Sequence, residues 1–353
     1  MKKKAITIIA YLLVLIMLVG VLMRVTQVLE HKEAKISYGS FFDENENYDV
    51  WFAGSSRMKN GVYPMLLWKE YGITSYNIGA HAACIPETYW FIKNLLDYKK
   101  PKVIVVDTYT IGLNRKYSTP EFMHKWMDAI PFSMTKLQAI WDLIDDKAKD
   151  EEIANGEAEE SSKGTVLEFI WSLCKYHSSW GEITSDSFVY DKSPEKGAEM
   201  RLGVFPKDKV NEYTDNIISD DSTGFEYLGK IVELCKEEDI QLVLVNLPMS
   251  RSEYDWEYSN AVKYFAIENN VPYIEFMDES VDVVDFSTDF FDEVHLNPQG
   301  AEVVSRYLGD YLIENCGIED KRECEEASYW NLDYERYTEY VSVVYEVNSD
   351  LNL

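Results

Sequence analysis

The feature that most constrains this chain is its beginning. From Ala5 to Met23 no residue is charged, and Lys2, Lys3 and Lys4 precede the run. In lipid every backbone polar group must be paired internally, so such a run can only be a helix. At about 1.5 Å per residue it spans roughly the hydrocarbon core. The three lysines are expected to stay cytoplasmic, which puts everything after Arg24 outside the cell. The competing expectation is a cleaved signal peptide. The run is long for one, and no A-x-A-like site closes it. The preferred expectation is a single-pass cell-membrane protein with residues 1–24 as lysines and anchor.

Past the anchor, residues 25–47 are expected to form a polar stalk. Then short apolar runs alternate with amphipathic ones. The run from Tyr48 to Ala53, the segment ending Asn77-Ile78-Gly79, Val103–Val106, Gln241–Val245 and Val271–Phe276 are expected to be strands. Continuous runs such as Val103–Val106 suit a parallel sheet buried on both faces. Helices are expected from Pro64, from Pro86 to Leu96, from Gly224 to Glu237, and from Asn297-Pro298 to Asn315. This alternation predicts an α/β, flavodoxin-like three-layer α/β/α domain with a mostly parallel five-stranded sheet. It comprises residues 48–113 and 223–316. Residues 114–222 form a helical insert or cap, within which the charged stretch Lys147–Gly164 is expected to be a mobile loop. Residues 317–353 are an acidic, Tyr-rich tail with no assigned role.

Composition excludes some functions. Lys and Arg total 34 against 62 Asp and Glu, for a net charge of -28. Phosphate backbones demand basic patches, so nucleic acid is not an expected partner. The same charge argues against a domain lying flat on anionic lipid. The five cysteines do not form a disulfide framework; Cys316 and Cys324 are close enough in sequence to pair, and five free thiols are preferred. No His/Cys spacing suggests a metal site.

In open α/β sheets, ligands bind at the carboxyl ends of the strands. Three segments meet that edge: Gly54-Ser55-Ser56, Asn77-Ile78-Gly79, and Asp292-Glu293-Val294-His295 before the last helix. A serine needs a base before it is a good nucleophile. His295 is the candidate base, and Asp292 can take its other ring N–H and fix the tautomer. The amides of Ser56 and Gly79 are candidate oxyanion donors. Arg57 is a candidate for an anionic substrate group, with a surface or capping arginine as the plainer alternative. His81 and Cys84 adjoin the Gly79 turn and are expected to pack. His177 and Trp180 are candidate lid residues, with a core role preferred for the histidine. His31 and His124 carry no signal.

The order GSS, NIG, DEVHLNPQGA resembles the SGNH/GDSL hydrolase family over about Tyr48–Asn114 and Thr223–Asn315. The resemblance implies Ser56 as nucleophile, Gly79 as oxyanion glycine, and Asp292 and His295 as the rest of a triad. Two positions depart from it. Ser55 stands where the G-D-S block has Asp, and Tyr109 where an oxyanion Asn is expected; Asn246 is a substitute candidate, with a strand-end turn as the plainer alternative. One anchor and an outward domain with a helical insert resemble the cell-envelope branch, which includes the teichoic-acid D-alanylation accessory protein and alginate-type O-acetyltransferases. That implies an extracytoplasmic acyltransferase acting on an envelope glycan or teichoic-type polymer, beside a polytopic membrane-bound O-acyltransferase. The alternatives are an acyl esterase and a non-catalytic scaffold. The chemistry requires no metal or organic cofactor.

Overall fold

The computed structural model describes residues 2–43, 47–155, 163–219, 221–281 and 283–350. The strands are β1 (Val50–Gly54), β2 (Ser75–Gly79), β3 (Val103–Asp107), β4 (Gln241–Asn246) and β5 (Tyr273–Glu275). The helices are α1 (Lys2–Leu29), α2 (Glu33–Tyr38), α3 (Ser56–Gly61), α4 (Pro64–Tyr71), α5 (Ile85–Leu96), α6 (Pro120–Met127), α7 (Met134–Ile144), α8 (Lys147–Ala154), α9 (Val166–Ile170), α10 (Leu173–Tyr176), α11 (Thr223–Glu237), α12 (Glu253–Asn269), α13 (Pro298–Cys316) and α14 (Tyr329–Asp350).

The five strands are all parallel, in the order β2-β1-β3-β4-β5. This is a flavodoxin-like order, with helices on both faces. Strand alternation sorts the core into two halves. Trp51, Ala53, Tyr76, Ile104 and Val106 belong to the core that includes α5 and α11. Val50, Phe52, Val103 and Val105 belong to the other, which includes α4 and α13. Every residue of β1, β2 and β3 is buried; β1 and β3 read as near-continuous apolar runs, while the buried Ser75 and Asn77 interrupt β2.

Three flanking segments take positions that the sequence did not specify. The stalk folds back: α2 and the 3-10 turn Gly39–Phe42 pack on the sheet domain, with Tyr38 and Phe41 buried. Its aromatic bodies outweigh its charges, and Phe41 lies 5.2 Å from Trp51 and 5.3 Å from Tyr76. Residues 44–46 of the stalk lie outside the described residues. In the tail, Trp330 is fully buried 5.5 Å from Trp68 and carries α14 onto α4. In the charged stretch Lys147–Gly164, Lys147–Ala154 is helix α8, while 156–162 lie outside the described residues. All five cysteines are free. Lys4–Leu29 is one helix long and apolar enough to cross a membrane.

Candidate active site

β1 delivers Ser56. Gly54 ends the strand at φ +148°, and a Cβ there would sit 2.9 Å from Asp107 Cβ, so only glycine fits. Ser55 caps α3, its Oγ accepting from Arg57 N at 3.3 Å. Ser56 is thus the first helical residue, partly exposed among buried neighbours. Its amide has no acceptor inside the helix, as expected of a first-turn N–H. Asn77 secures the far end of α3. Its Nδ2 donates to Met58 O at 2.8 Å and to Val62 O at 2.9 Å.

The loop before α13 delivers the candidate base, His295. Asp292 Oδ1 accepts the amides of Val294 (2.9 Å) and His295 (2.8 Å), which folds the turn on itself. The same carboxylate lies 3.0 and 2.8 Å from His295 Nδ1. With Nδ1–H donating there, Nε2 is left as an acceptor, 2.8 Å from Ser56 Oγ. Asn297 fixes the loop from below. It caps α13 through Gly300 N (3.2 Å) and donates to Thr288 O (2.7 Å) and Gly203 O (3.0 Å). Burial alone would raise the Asp292 pKa. The two amides and the imidazole outweigh burial and hold it below the usual carboxylate range, so the group stays ionised.

Other expected site residues sit elsewhere. The Gly79 amide is already committed, donating to Asn77 Oδ1 at 2.9 Å. A Cβ on Gly79 would lie 2.6 Å from Lys59 N and 2.9 Å from Ser55 O. The glycine is therefore required by the close approach of β2 to α3, rather than by an amide offered to substrate. Arg57 is neither on the surface nor free for an anion. It is buried, pairs with Asn246 Oδ1 (3.4 Å) and Leu247 O, and stands 4.0 Å from Asp107 and 4.5 Å over the Tyr109 ring. Asn246 accordingly turns its carbonyl oxygen to Arg57. A second buried arginine, Arg251, meets Leu247 O at 3.1 Å and Glu275 at 3.3 Å. Burial lowers the Arg57 pKa and raises that of Asp107, each opposed by its partner's charge. This paired network locks the ends of β3, β4 and β5 behind Ser56. Beside it is a cavity of about 250 Å³ lined by Tyr109, Asn246, Tyr254 and Tyr258 among others.

His81 meets Glu199 at 2.8 Å and Glu33 at 3.9 Å, which makes it part of an ion-pair cluster. Cys84 is buried at the start of α5, and burial pushes its thiol pKa well up. His177 and Trp180 belong to the part of the insert that packs on α1 and do not cover Ser56. His177 Nδ1 lies 2.9 Å from Cys174 O. What does border the catalytic edge is the insert's return stretch, where Glu199 N donates to Lys59 O (3.0 Å) and Phe205 N to Phe290 O (2.8 Å). Lys59 itself gave no sequence signal. It is fully buried one turn after Ser56, bonded to Tyr38 OH (3.2 Å) and Gly197 O (3.1 Å), and burial lowers its pKa to about 8. Asn77 was legible only as part of NIG; its polar side chain in a buried strand was the available clue. Among the described residues no cluster of three or more His, Cys, Asp or Glu could hold a metal ion.

No protein-family model matches the sequence, and no curated protein matches it. Among solved structures, a protein assigned to the lipolytic G-D-S-L family from Desulfitobacterium hafniense DCB-2 superposes with a TM-score of 0.36. The identity is 10%, over 75% of this chain and 99% of that one. A protein assigned as an acylhydrolase from Bacteroides fragilis NCTC 9343 superposes with a TM-score of 0.34. The identity is 12%, over 81% of this chain and 94% of that one. At such scores superposition carries no argument about activity.

Proposed function

We propose that this protein is a serine acyl-transfer enzyme of SGNH type, anchored by α1 and acting outside the membrane. One observation carries the proposal: Ser56 Oγ lies 2.8 Å from His295 Nε2 while Asp292 holds the opposite ring nitrogen. A non-catalytic scaffold has no need of that alignment. In the proposed reaction Ser56 Oγ attacks an ester carbonyl and its proton passes to His295 Nε2. The Ser56 amide stabilises the oxyanion. The acyl–oxygen bond to the leaving group breaks, and His295 returns the proton to it. An acceptor hydroxyl then gives its proton to His295 and takes the acyl group; the acyl–Oγ bond breaks and His295 returns the proton to Ser56 Oγ. The proposed acceptor is a hydroxyl of an envelope glycan or teichoic-type polymer, and a polytopic O-acyltransferase is the proposed source of acyl groups.

A second version has water as acceptor, which makes the protein an esterase. It is favoured by access, since the His295 side chain is 23% exposed. The test uses the full chain in detergent with p-nitrophenyl acetate, followed by intact mass. A transient single acetyl adduct and p-nitrophenol release, both lost in Ser56→Ala and His295→Ala, are expected. Release by wild type no faster than by Ser56→Ala would overturn the nucleophile. Addition of glycan acceptors then separates transfer from hydrolysis by the product formed.

A further inference from the structure

The apolar run stops at Met23, but α1 continues to Leu29. Along the helix, Thr26 lies about 5 Å past Met23 and Glu30 about 10 Å past it. If Met23 marks the hydrocarbon boundary, Thr26 falls in the headgroup layer, about 5–7 Å deep, and Glu30 just beyond its outer edge. The insert grips α1 at this level. Trp171 Nε1 donates to Thr26 Oγ1 at 3.0 Å, and Ser172 Oγ donates to Glu30 at 3.2 Å. His31 lies 4.9 Å from the Tyr176 ring and 3.4 Å from Glu182. Asp186 and Ser187 share a cavity of about 760 Å³ with Val28 and Leu29.

The residues between and beside these contacts leave large apolar side chains in the open. Trp180 is 59% exposed, Phe188 67% and Val189 70%. Each is within three residues of a contact to the end of α1, and Tyr190 next to them lies under Lys32. Such side chains at that height match the aromatic belt of a membrane interface.

We propose that segment 171–190 is a membrane-docking platform. It lies on the leaflet from which α1 emerges, with Trp171, Trp180, Phe188 and Val189 in the headgroup layer. The proposal rests on α1 spanning the bilayer. The chain's net charge of -28 opposes attraction to anionic lipid, so the contact is carried by aromatic and apolar burial. The platform also orients the catalytic edge. Four residues past α1, α2 is tied to the end of β2: Tyr38 OH donates to Gly79 O at 2.6 Å, and Glu33 lies 3.9 Å from His81. Ser56 is on that same edge, which is thereby held at the membrane end of the domain.

The test is site-specific depth. Full chains with Cys174, Cys316 and Cys324 replaced by serine receive one reporter cysteine: Phe188→Cys, Trp180→Cys, or Ile313→Cys near the opposite end of the sheet. Each is labelled with an environment-sensitive fluorophore and reconstituted in phosphatidylcholine vesicles. The labels at 188 and 180 are expected to shift to the blue and to lose most of their emission to nitroxide-bearing lipids, and the label at 313 to do neither. Labels at 188 and 180 that behave like 313, in protein retained by vesicles after an alkaline wash, would overturn the platform alone. Release of the protein by the wash would overturn the anchor, and the platform with it.

Discussion

Two histidine–aspartate pairs in this molecule look alike locally and differ in everything else. His295 holds Asp292 three residues before it at 2.8 Å, and His124 holds Asp128 four residues after it at 3.0 Å. His295 presents its second nitrogen to Ser56 and is partly open to solvent. His124 is buried, stacks on Phe169 at 4.2 Å, and its Nε2 has no partner among the described residues. Tyr176 OH completes the second pair by donating to Asp128 at 3.2 Å. A histidine oriented by a carboxylate is therefore not yet a catalytic element. What sets His295 apart is a serine hydroxyl brought from 239 residues away to its free nitrogen.

That contrast can be broken by substitution. Ser56→Ala and His295→Ala should each lower acyl-transfer turnover on the order of 10³-fold or more with little change in melting temperature. A loss below tenfold would place the nucleophile elsewhere. Asp292→Asn removes the tautomer lock and leaves the nucleophile in place, so its loss, up to about 10⁴-fold, should not exceed those of Ser56→Ala and His295→Ala. Steady-state kinetics with a chromogenic ester reads both. His124→Ala should do the reverse, costing about 2–3 kcal/mol of stability by chemical denaturation through a lost ring stack and an under-paired Asp128. Its turnover, measured well below the melting point, should match wild type. An equal loss of activity would erase the distinction between the two pairs.

The third pair, His81–Glu199, sharpens the comparison with the smallest effect. Burial would raise the Glu199 pKa, but the His81 hydrogen bond and the charges of His81, Lys59 and Arg201 lower it from 4.5 to about 2. Between those values the unfolded chain binds a proton that the folded chain does not, so the pair's stabilisation is present above 4.5 and is lost as pH falls toward about 2. Glu199→Gln should therefore flatten the decline of melting temperature across that window. A decline as steep as wild type would mean that Glu199 is protonated in both states together.

Local patterns were legible for a physical reason. A strand buried on both faces is mostly apolar, and a helix start favours a cap or proline. Hence β3, β4, α4, α5, α11 and α13 follow their runs and caps within a residue or two. The Asp292–His295 pair was legible because its three-residue spacing is itself the turn. The flanks were not. The charges of the stalk and tail concealed Phe41 and Trp330, whose burial depends on surfaces distant in sequence.

By itself, then, the sequence determined the alternating α/β order, the apolar N-terminal helix and the local half of the candidate triad, since each depends on neighbours in the chain. Only the tertiary structure decided where the long-range partners went. It turned Arg57 inward to Asn246 and Asp107, and took Trp180 to the end of α1. Those outcomes follow from packing against surfaces that exist only once the sheet has formed, and no spacing along the chain encodes them.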